Sequence, residues 1–145
     1  MTQTNKLPQL YSLTAIGIGT FLGSALAAGF MLAANYSALG QRKFASYAIY
    51  GSLLWVFLLL LIPQQLESIQ LALVLTIAQV VFVLFVAHTL QGKMFASYEE
   101  MGGKYFSNWR AVLVGVAASF VLLLIASMVA LLFGQPAAPV SGPAS

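Results

Sequence analysis

Four stretches of this chain run for about 20 residues almost without a charged side chain, and nothing limits its folding options more. A helix of that length crosses the roughly 30 Å of hydrocarbon in a bilayer, because each residue advances about 1.5 Å. The stretches cover about residues 13–34, 44–62, 69–90 and 109–133. They predict an all-α polytopic membrane protein, a four-helix bundle over residues 13–133. A short N-terminal tail of residues 1–12 precedes it and a flexible tail of residues 134–145, rich in Pro, Ala and Ser, follows. Composition agrees, since 61% of the 145 residues are hydrophobic and 6% charged, too few charges to cover a water-soluble surface. The weak charge of the opening residues and the lack of a cleavage pattern mark the first stretch as retained rather than as a signal peptide.

Orientation follows from the six Lys and Arg residues, because short loops carrying excess positive charge stay on the cytoplasmic side. Arg42 and Lys43 lie in the first loop, and Lys93, Lys104 and Arg110 lie in or beside the third, against Lys6 alone in the N-terminal tail. With four straight crossings, that distribution puts loops one and three in the cytoplasm and both chain ends outside. Phe44, Tyr47, Tyr98, Tyr105 and Trp109 then serve as aromatic anchors at the cytoplasmic interface. PQQLES turns the chain between the second and third helices, with Pro63 ending the second, so those two are expected to be antiparallel neighbours. In the third loop, KMFASYEEM reads as a short helix on the membrane surface. Gly102 and Gly103 end it, and Ser107 or Asn108 caps the fourth helix.

On a continuous helix, Gly17, Thr20, Ser24, Ala27, Ala28, Met31 and Asn35 share one face of small and weakly polar groups. Gly19 and Gly23 make a GxxxG pair beside it, and Gly115 and Ser119 begin a similar side of the fourth stretch. Helices in lipid associate through close backbone approach, so the first and fourth helices are expected to meet along these residues. FLGSALAAGFMLAANYSALG and GGKYFSNWRA together resemble a group of small uncharacterised bacterial four-helix membrane proteins. The resemblance implies the same fold in a bacterial inner membrane and brings no activity with it.

The chemistry-bearing residues are few. Glu67, Glu99 and Glu100 fall in loops, so the buried carboxylate of a proton-coupled exporter is missing. His88, near the cytoplasmic end of the third stretch, suits a hydrogen bond to a neighbouring helix or the interface, with a relay or ligand role as the alternative. Gln79, with Thr76 on its side, is the deepest strong hydrogen-bonding side chain and needs a partner helix or a solute. There is no Cys, no phosphate-binding loop, no metal-ligand spacing and no nucleophile within reach of a base. No enzymatic activity, cofactor, metal or nucleic-acid partner is therefore expected. The preferred reading is a non-catalytic scaffold or partner subunit, working through helix packing, the cytoplasmic third loop and contact with lipid, another membrane protein or its own copies. The alternative is a small oligomeric transporter or channel whose polar path uses Asn35, Gln79 and His88.

FASY occurs twice, at 44–47 and 95–98, with Arg42 matched by Lys93 and Gly51 by Gly102 at the same offset. Duplication into two parallel hairpins, or coincidence, would account for it; either way the word reads as an interface anchor.

Overall fold

The computed structural model describes residues 7–60 and 68–133. It contains four helices: α1 (Leu13–Ala38), α2 (Arg42–Leu60), α3 (Ile69–Glu100) and α4 (Asn108–Phe133). All four are long and apolar enough to cross a membrane, and they mark an integral membrane protein. Lys6, Pro63, Glu67 and the tail at 134–145 lie outside the described residues.

α1 is not a straight rod. Helical geometry fails at Gly23 (φ −119°, ψ 16°) and Ser24 (φ 58°, ψ −167°), and the chain doubles back there. The proof is a hydrogen bond: the Tyr11 amide donates to Asn35 Oδ1 over 2.7 Å. On an unbroken helix those residues would stand about 36 Å apart. Two antiparallel arms result, residues 13–22 and 25–38, and Ala15 and Ile16 of the first share one core with Ala28, Met31 and Leu32 of the second. The expected small-residue face from Gly17 to Asn35 is thereby corrected, because its angular count assumed a helix that continues through Gly23 and Ser24.

The local chemistry fits the break. Ser12 caps the first arm by accepting the Ala15 amide over 3.1 Å, and Ser24 Oγ sits 3.5 Å from the Leu26 amide, where a second cap is needed. Glycine is the weakest helix former after proline and lets another backbone come close. A Cβ on Gly23 would lie 2.8 Å from Gly115 Cα and 2.9 Å from Ala118 Cβ; one on Gly115 would lie 2.8 Å from Leu22 Cβ. Gly19, Gly23 and Gly115 thus form the crossing of α1 with α4, which places the first and fourth helices in contact as the small residues suggested.

α1 is the hub. Its second arm receives α2 at Gly29, where a Cβ would meet the Ser52 side chain and lie 3.0 Å from Ala48 O. Its first arm meets α3 where Gly17 faces Leu84. Away from α1 the other three barely touch, apart from the stacked rings of Trp55 on α2 and Phe82 on α3, 5.2 Å between centroids. α2 and α3 are therefore not the close antiparallel pair expected from the short connection between them, because the doubled-back α1 provides the packing surface for each.

Two further expectations change. The short surface helix at 93–101 does not exist separately; α3 runs unbroken to Glu100, about 48 Å in length, so it outreaches the hydrocarbon. And the described chain ends lie at opposite ends of the bundle. Leu10 pairs with the α3–α4 turn, its amide donating to Lys104 O over 3.3 Å and its carbonyl accepting from the Phe106 amide over 2.8 Å. Phe133 lies a whole helix away, about 39 Å along α4. Among the described residues, three helices run the length of the bundle and the first folds back on itself as a hairpin.

Candidate functional site at the hairpin tip

Arg42, Lys43, Lys104, Trp109 and Arg110 all lie at the end of the bundle that holds residues 7–12, and Lys93 lies on the last turns of α3 toward that end. Arg110 stacks over the Phe106 ring, 4.1 Å from its centroid. This basic end is closed by polar contacts. Asn35, 1% exposed, accepts the Tyr11 amide and donates through Nδ2 to Tyr11 O (2.9 Å) and Gln91 Oε1 (3.2 Å). Gln91, fully buried, reaches on to Leu32 O at 3.4 Å. Tyr98 adds a latch: its hydroxyl accepts the Lys104 amide (3.0 Å) and lies within hydrogen-bond reach of Pro8 O and Lys104 O.

The tip of the hairpin lies in the middle of the bundle. From Arg110 to Ser119, which sits beside the tip, α4 advances about 14 Å, and from Ser119 to Phe133 about 21 Å more. Breaking a helix there leaves the last carbonyls of one arm and the first amides of the other without intrahelical partners. Ser119 on α4 answers part of that need, its hydroxyl being positioned to donate to Leu22 O or to Gly115 O (3.1 Å). Thr20 turns its hydroxyl back to Ile16 O at 2.7 Å. Below the tip a pocket of about 360 Å³ is lined by Thr20, Gly23, Ser24, Thr76, Gln79 and Ser119 among others. Gln79 Nε2 is buried and has no hydrogen-bond partner among the described residues, a condition it shares with Trp55 Nε1.

This pocket sets a few uncharged polar side chains among apolar ones, Phe21, Leu22, Leu122, Leu123 and Ala126, and carries no formal charge. The carbonyl end of one arm carries partial negative charge and the amide end of the other partial positive charge; side by side they largely cancel. Such a surrounding offers no net charge to an ion. It contains no titratable side chain and hence no group for acid–base chemistry.

Asn35, Gln79 and His88 do not come together. Asn35 is consumed by the closure at the basic end, and Gln79 lines the tip pocket. His88 is exposed in a shallow apolar groove beside Leu13, Thr14 and Gly17 of the first arm. Gln91 escaped sequence reasoning because it lies one residue past the apparent end of the third stretch; its signal was a long polar side chain in helical register with Ala87. The two FASY words also part company. The first opens α2 as the chain leaves the basic end, with Tyr47 68% exposed, and the second lies on α3 as the chain approaches that end, with Tyr98 1% exposed. Opposite chain direction removes the parallel-hairpin reading, and Tyr98 is a buried latch, not an interface anchor.

Comparison with family models, with curated proteins and with solved structures finds no match to this chain.

Proposed function

We propose that this chain is a small integral membrane subunit, seated in a bacterial inner membrane, that passes small neutral polar solutes by way of the hairpin tip. One observation carries the reading: a helix broken at mid-bundle, beside a pocket lined in part by Gln79, whose buried Nε2 has no hydrogen-bond partner among the described residues. Irregular backbone at that depth is tolerated where protein buries it or where it lines a cavity, and broken helices form the binding sites of many carriers. Access is from the far end, since the Asn35 and Tyr98 contacts close the basic end. Passage then requires the hairpin to shift, or neighbouring copies to complete the path.

The topology that accompanies this function has the basic end in the cytoplasm, because every described Lys and Arg clusters toward it. Residues 7–12 are cytoplasmic and the end of α4 is outside. The earlier expectation of both ends outside rested on four crossings, and three crossings with a hairpin replace it.

The test is flux. Stopped-flow light scattering on proteoliposomes, with glycerol and urea as solutes, is expected to show permeation above that of empty vesicles. Gln79→Leu and Ser119→Ala should lower it toward the empty-vesicle rate. Unchanged flux in both variants would remove the tip from the function.

A second reading, the scaffold or partner subunit, draws on the apolar faces that α2, α3 and α4 leave uncovered beyond the tip, where Leu124 and Leu131 are among the most exposed side chains. Crosslinking in native lipid separates the two: a partner-bound protein whose Gln79→Leu variant assembles normally and which passes no solute supports the scaffold.

A further inference from the structure

A second concavity lies away from the tip, between α2 and α3. Its floor is the second arm of α1, where Ala25, Ala28 and Gly29 present little side-chain bulk. Its walls include Ala48 and Gly51 of α2 and Val83 and Val86 of α3, and it encloses about 480 Å³. The stacked Trp55 and Phe82 close the deep end. Phe44, Tyr47 and Leu90 frame the mouth and are all more than half exposed, so the groove opens sideways into lipid. From Phe44 to Trp55 the helix advances about 16 Å, close to one leaflet of the roughly 30 Å hydrocarbon layer.

The charge at the mouth has one sign. Lys43 immediately precedes Phe44, and Lys93 lies seven residues beyond Val86, on the same side of α3 as the groove wall. The described carboxylates lie elsewhere: Glu99 accepts the Tyr105 hydroxyl over 3.0 Å, and Glu100 ends α3. An apolar slot one leaflet deep, beneath a pair of cations, matches one occupant. We infer that this groove holds an acyl chain of a glycerophospholipid whose anionic headgroup is held by Lys43 and Lys93. Basic pockets between membrane helices recognise lipid headgroups in this way, each Lys near the surface strengthening the attraction about fivefold. The site is independent of the hairpin tip and of the solute pathway.

Trp55 is its built-in reporter. In a Trp109→Phe background it is the single tryptophan of the chain. Its fluorescence is measured in vesicles of dioleoylphosphatidylcholine containing rising fractions of either brominated phosphatidylglycerol or brominated phosphatidylcholine. Half-quenching is expected at a severalfold lower fraction of the glycerol lipid. Lys43→Gln with Lys93→Gln should erase that preference. Gly51→Phe should weaken quenching by both lipids; a Cβ at Gly51 meets nothing within 4 Å, so the ring enters the groove without disturbing the helix. Equal quenching by the two lipids in the Trp109→Phe protein overturns the headgroup assignment, and indifference to Gly51→Phe overturns the groove. A change in oligomer mass on Gly51→Phe, measured in the same vesicles after crosslinking, would give the groove to a second copy and overturn the lipid.

Discussion

Asn35→Leu is the substitution that most clearly separates a doubled-back first helix from a straight one. In the hairpin, Asn35 makes three buried hydrogen bonds, at 2.7, 2.9 and 3.2 Å, two of them to the backbone of Tyr11. Leucine keeps the bulk and removes all three, leaving the Tyr11 amide and carbonyl buried without side-chain partners. Hydrogen bonds between membrane helices contribute about 0.6 to 1.7 kcal/mol each, so the loss comes to roughly 2–5 kcal/mol. Gln91→Leu removes the Asn35 contact and the longer one to Leu32 O, about 1–3 kcal/mol on the same scale. Because the two residues share a bond, the double variant should fall short of the sum by about one bond. Unfolding in mixed dodecyl maltoside and SDS micelles, followed by tryptophan fluorescence and far-ultraviolet circular dichroism, measures all three. On a straight α1, Asn35 would lie near the polar boundary, far from Tyr11, and leucine there would be neutral or mildly stabilising. A loss below about 0.5 kcal/mol for Asn35→Leu would refute the bridging role.

Other perturbations follow from the same contacts. Gly23→Ala and Gly115→Ala each force a methyl to within 3 Å of α1 or α4 atoms and should cost about 1–3 kcal/mol, whereas Gly51→Ala, facing open space, should stabilise by up to about 1 kcal/mol; the micelle assay reads each. Ser24→Gly relieves a positive φ and gives up only the long 3.5 Å contact, so a gain of about 1 kcal/mol is expected by the same measurement. Burial, then the hydrogen bond from its hydroxyl to Glu99, pushes the Tyr105 phenol from 10.0 up to about 12. Since the folded value is the higher one, its contribution to stability is complete below pH 10 and is lost as pH rises through about 12. In ultraviolet titration Glu99→Gln should bring the Tyr105 transition part of the way back toward 10.0.

The number and apolar character of the helices were legible because hydrophobic length survives whatever the packing. The reversal was not, although its punctuation is present: Gly23 is a helix stopper and Ser24 a helix starter. In an apolar run rich in small residues those two letters look like a packing face, and a 100° count carried through them assembles a surface that the fold never makes. Asn35 stood out as a polar contact, but its partner was hidden for the same reason, since Tyr11 comes near only after the chain turns. Gly19, Gly23 and Gly115 were recognisable as contact residues because close backbone approach needs glycine irrespective of topology. Gln79 stood out because a long amide is rare at that depth, but the pocket around it depends on a tip that periodicity could not reveal. The described cations, Arg42, Lys43, Lys93, Lys104 and Arg110, lie toward one end, as the positions of the first and third loops led one to expect.

The hairpin itself is open to a direct distance measurement. The chain has no Cys, so Gln9→Cys with Ser37→Cys gives a clean pair of exposed spin-label sites for pulsed electron resonance in nanodiscs. Tyr11 bonds to Asn35, and these sites lie two residues beyond each of them, on arms whose axes are about 8–10 Å apart. A distance below about 20 Å is expected. A separation of about 36 Å or more, the length of an unbroken helix from Leu13 to Ser37, would contradict the doubled-back first helix and the tip site with it.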